Sequence, residues 1–102
     1  MALINIDNVL HEVKRKLKSC AIGGGLELMS YKRNRTIAIV KEEDGRFFVI
    51  ENGYEKAEQL VVEDELLKKL KPIIKREFPR SRKIRIFKFS TSSELERIHQ
   101  KI

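Results

Sequence analysis

Residues 26–52 read LELMSYKRNRTIAIVKEEDGRFFVIEN, and this stretch decides the fold. It contains three runs rich in β-branched or aromatic residues, Leu26 to Lys32, Thr36 to Glu42 and Arg46 to Asn52. Short polar segments separate them, Arg33 to Arg35 and Glu43 to Gly45, which is the pattern of an antiparallel meander. Asn52-Gly53 is a preferred pair for a tight type I′ hairpin, so the chain is expected to return as a fourth strand over Tyr54 to Val62.

On the N-terminal side the period is helical. Val9, Leu10, Val13, Leu17 and Cys20 recur at three-and-four spacing behind Asp7, which predicts a capped helix over Asn8 to Ser19. Gly23, Gly24 and Gly25 then supply a place for it to stop. On the C-terminal side Leu66, Leu67, Leu70, Ile73, Ile74 and Phe78 form a second helical stripe from Asp64, with Glu63, Asp64 and Glu65 suited to the positive end of its dipole. Pro72 falls inside that stripe and is expected to kink or split the helix, and Pro79 ends it. Lys83 to Phe89 reads as a fifth strand with apolar residues on both faces, as a central strand has. Thr91 and Glu94 have capping-box spacing before a thin stripe of Leu95, Ile98 and Ile102, a final short helix. The expected fold is a single α+β domain over 1–102. Its mostly antiparallel five-stranded sheet carries helices packed on one face, in the order αββββαβα.

The totals narrow the function classes. With 41% hydrophobic and 36% charged residues the chain can build a core under a dense charged exterior, which excludes the disordered class. No apolar run approaches the roughly 18 residues of a membrane span, and residues 1–13 lack a secretory pattern, so a cytoplasmic location and no membrane partner are expected. Cys20, the single cysteine, permits no internal disulfide and reads as a buried small hydrophobe.

The net charge of +7 is segregated. Residues 67–90 hold ten basic groups against one acidic, whereas residues 41–66 hold three against nine. Lys68, Lys71 and Lys75 share one side of the second helix, Arg76 lies beside them, and Arg80, Arg82, Lys83 and Arg85 continue the basic run. On the first helix His11, Lys14, Arg15 and Lys18 lie opposite the apolar stripe. Lysines and arginines so concentrated displace counterions from a phosphate backbone, and these residues are the expected nucleic-acid contacts, for RNA or DNA with little base recognition. A solvated surface and docking on an acidic protein are the competing readings. Dense Lys, Arg and Glu are also a thermostable composition, which weakens the step from basicity to function.

Other features are bland by comparison. Arg85, Phe87 and Phe89 alternate as a stacking platform would, but the favoured reading is that both phenylalanines pack under helices, because large apolar residues are usually buried. The glycine run follows a helix and precedes a strand, the reverse of a phosphate loop. The order of a helix, a meander and a second helix resembles the double-stranded-RNA-binding domain. That family presents a basic helix start to phosphate, and Glu63, Asp64 and Glu65 stand at the equivalent place, so no residue role carries over. His11 and His99 are the only histidines, and no catalytic or metal-ligating constellation appears. The expectation is a non-enzymatic binding module without cofactor, with a homo-oligomer or an acidic protein partner as the alternative, met through Tyr54, the long hairpin or the last helix.

Overall fold

The meander expected over residues 26–52 forms the middle of a wider sheet. The computed structural model describes residues 2–30, 35–43, 45–53, 55–79 and 81–90. Its elements are β1 (Ala2–Asn5), a 3₁₀ turn (Ile6–Asn8), α1 (Val9–Leu17), β2 (Gly25–Met29), β3 (Thr36–Glu43), β4 (Arg46–Asn52), β5 (Lys56–Val62), α2 (Glu63–Glu77) and β6 (Lys83–Phe89). The strands lie in the order β1-β6-β2-β3-β4-β5, and every neighbouring pair is antiparallel. The α+β class stands, but the expected five strands are six among the described residues. The extra strand is β1, whose four residues are too few to display a period. Its pairing with β6, from Ala2 opposite Ile86 to Asn5 opposite Lys83, makes it a strand. The resulting start, β1 before α1, also corrects the expected order. The expected final helix over 91–102 lies outside the described residues.

The entry to α1 differs from expectation in a related way. Asn5, leaving β1, accepts a hydrogen bond from the Asp7 backbone N–H at 2.9 Å through its side-chain oxygen, so Asn5 rather than Asp7 opens the helical segment. The return after β4 is also longer than the type I′ pair requires. Asn52 is still paired, with Lys56, and β5 begins at Lys56 instead of Tyr54, which lies outside the described residues. Gly53 is required there because a Cβ would collide with the Glu77 carboxylate and lie 2.9 Å from the Arg35 side chain.

The two-residue period of the strands sorts the side chains between two faces. Leu26, Leu28, Ile37, Ile39, Val49 and Ile86 point at Val13 and Leu17 of α1 and Leu66, Leu70 and Ile73 of α2, forming the main core. Each such fully buried side chain contributes on the order of 1.5–3 kcal/mol. Ala38, Val40 and Phe89, with half-buried Phe48, Ile50 and Phe87, form a second cluster on the opposite face. Phe87 and Phe89 therefore do not pack under α1 or α2. Phe89 is buried and Phe87 half-buried, so the stretch is no exposed stacking platform. As its two apolar faces imply, β6 is internal, between β1 and β2.

Pro72 does not split α2, which runs unbroken from Glu63 to Glu77. The residue is exposed, and the carbonyl it leaves without a helical partner belongs to Lys68, which is also exposed.

Candidate nucleic-acid interface

Because α1 and α2 bury their apolar stripes on the same sheet face, their basic sides share one side of the molecule. The C-terminal end of α1 meets the N-terminal end of α2 at a cleft of about 610 Å³. Lys14 and Lys18 from α1, Lys68 from α2 and Lys41 from β3 line it, over a floor of Leu17, Phe47, Leu66 and Leu67. The two basic stretches, 50 residues or more apart in sequence, thus meet in space. The Glu63 backbone N–H, which donates to the Gly45 carbonyl at 2.7 Å, ties the start of α2 to the β3–β4 hairpin and fixes the cleft wall. Glu63 and Asp64 also line the cleft.

Lys71 and Lys75 extend the same side of α2 as Lys68, one and two turns on, and all three are exposed. Among the described residues Lys14, Lys18, Lys68, Lys71 and Lys75 make no ion pair. Their mutual repulsion is left to solvent and counterions.

The remaining expected contacts divide by environment. Arg15 is exposed but bonded to Glu12 at 2.7 Å, and that hydrogen bond holds the Glu12 carboxyl below the usual range. Arg76 donates two bonds to Glu51, at 2.6 and 2.9 Å, and lies 3.6 Å from Glu55. This bidentate contact lowers the Glu51 pKa against burial, which acts to raise it. The same contact raises the Arg76 pKa. Arg76 therefore closes the sheet-facing side of α2 and is turned away from the lysine row. Arg82 and Lys83 are exposed at the entry to β6, where the Arg82 carbonyl accepts from the Ile6 N–H at 2.7 Å. Arg85 is half-buried on the face opposite the helices, diagonal to buried Glu27 across β2 and β6. Arg80 lies outside the described residues.

Sequence reasoning missed three participants. Lys41 continues the core-facing alternation of Ile37 and Ile39 and is half-buried, with its Nζ donating to the Cys20 carbonyl at 3.3 Å. A lysine in register with two core isoleucines was the available signal. Glu51 repeats that signal after Phe47 and Val49. Glu77 does so on α2, following Leu66, Leu70 and Ile73 on the buried stripe.

Among the described residues the cleft lining holds no serine, cysteine or histidine; it offers four ammonium groups, two carboxylates and apolar surface. Cys20 lies nearby but is buried, and that burial pushes its thiol pKa up. No helix among the described residues is long and apolar enough to cross a membrane. No protein-family model matches the chain, and no curated protein or solved structure shows significant similarity to it.

Proposed function

We propose that this chain is a non-enzymatic binding module that holds RNA or DNA by its backbone phosphates, with little sequence preference, on the side formed by α1 and α2. The observation that carries this reading is the meeting of Lys14 and Lys18 with Lys68 in one cleft, continued along α2 by Lys71 and Lys75, with none of the five ion-paired among the described residues. Arg15 and Arg76 are each ion-paired, whereas among the described residues these five lysines are not, although Glu63 and Asp64 line the same cleft. Arg82 and Lys83 extend the basic surface beyond the end of α2, while Arg15, Arg76 and Arg85 serve mainly their local contacts.

Five phosphate contacts predict a slope of log K against log salt of about −4 to −5 on duplex and about −3.5 on single strands. Fluorescence anisotropy with labelled RNA and DNA of both forms, across a salt series, measures it. Affinity that does not change between low and moderate salt contradicts the reading.

A second reading, assembly with another copy, is favoured by Leu60 and Val62, which are 57% and 48% exposed on the edge strand β5. Its sign is a solution mass at a multiple of 12.0 kDa with no bound nucleic acid.

A further inference from the structure

The cleft lining is chemically mixed in a way that phosphate tracking alone does not require. A surface that only follows a polyanion needs cations on a convex or shallow face, whereas here a concavity of about 610 Å³ lies among the lysines. That volume falls within the range of small-ligand sites, and a duplex about 20 Å across cannot enter it. The apolar floor suits a flat hydrophobic body. Glu63 and Asp64 would repel a simple polyphosphate but can accept hydrogen bonds from a ligand that also donates. Among the described lining residues, four ammonium groups and two carboxylates leave a net charge of two positive units. That balances the roughly −1.5 to −2 of a terminal phosphate, or two backbone diesters. Lys41 distinguishes this site from the open surface, because it reaches the cleft from the sheet and is half-buried, unlike the exposed lysines of α1 and α2.

We infer that the α1–α2 cleft holds one nucleotide, its phosphate on Lys14, Lys18, Lys41 and Lys68 and its base over Leu67 and the floor beneath. Exocyclic amino or ribose hydroxyl groups donate to Glu63 and Asp64. The inference rests on the phosphate-binding reading above and narrows it: the preferred polymer is single-stranded, because a paired and stacked base cannot turn into the cleft.

The test compares three ligands on the full chain: a nucleoside 5′-monophosphate, a single-stranded oligonucleotide of ten residues, and a duplex of the same length. Anisotropy or titration gives affinity, and amide chemical shifts locate binding. The single strand is expected to bind more tightly than the duplex by about tenfold, within the range that stacking one base supplies. The mononucleotide is expected to shift the amides of Gly45, Leu66, Leu67 and Lys68. Lys41→Met is expected to weaken both mononucleotide and single-strand binding by roughly tenfold, the share of one charge-assisted contact. If that variant does not fold, the amide shifts of the unaltered protein decide. Duplex binding equal to or tighter than single-strand binding, with cleft amides unmoved, overturns the nucleotide site but leaves the phosphate-binding face standing. Failure of all three ligands at low salt overturns both. A mononucleotide that moves the cleft amides while neither polymer binds supports the site and removes the polymer reading.

Discussion

Glu51 lies on the core side of β4, where Phe47 and Val49 precede it at alternate positions, and Arg76 is what makes a carboxylate tolerable there. The two Arg76 bonds favour the charged form, so the folded pKa of Glu51 lies below the ordinary 4.5. A depressed carboxylate pKa contributes stability that is present above pH 4.5 and is lost as pH falls through the lower folded value. Arg76→Met should lower Tm at pH 7 by on the order of 5 °C and flatten the fall in Tm on acidification, measured by thermal melts from pH 7 to pH 3. Gly53 answers to the same corner: Gly53→Ala should cost about 1–3 kcal/mol by overpacking, read by urea denaturation. Cys20 should react with a disulfide reagent at pH 8 only slowly until the chain is unfolded, because burial raises its pKa and blocks access.

Among the elements, α2 carries the largest consequences. Leu70 is fully buried in its middle, so Leu70→Ala should cost about 2–5 kcal/mol in chemical denaturation. Pro72 interrupts the hydrogen-bond ladder on the exposed side, so Pro72→Ala should instead stabilise, by about 1–3 kcal/mol in the same measurement. Most of this architecture was legible in the residues. The bounds of β4 and β6 follow from their alternation, and those of α1, β3 and α2 differ from the sequence reading by no more than two residues at either end. What escaped was set by partners distant in sequence. Ala2–Asn5 is a strand because β6 offers it an edge, and Arg76 turns inward because Glu51, 25 residues away, lies buried opposite it. Neither fact has a local signature. Lys41 did have one, its register with Ile37 and Ile39, but a lysine at a strand end also reads as a solvated terminus. The meeting of Lys14 and Lys18 with Lys68 required the sheet order that brings both helices to one face.

At the scale of the whole molecule, the charge is distributed by position. Exposed lysines without ion pairs among the described residues lie along the α1–α2 side, while the acidic stretch, residues 41–66, runs through β3–β5 and ends in the first turn of α2, where Glu63 and Asp64 reach the cleft. A net charge of +7 would draw any polyanion weakly, with no dependence on where the charges lie. In the proposed binding mode the contact is instead confined to the side shared by α1 and α2. Two double variants of identical net charge separate these possibilities. Lys14→Glu with Lys68→Glu removes cations from the cleft, and Arg46→Glu with Lys56→Glu removes two exposed cations from the sheet face turned away from the helices. The most direct measurement is the affinity of each for single-stranded RNA and DNA at one fixed, moderate salt concentration, after thermal melts show both folded. The expected result is a loss of a hundredfold or more in the cleft variant, about two charge-assisted contacts, and a change of less than about threefold in the other. Equal losses in the two would contradict it.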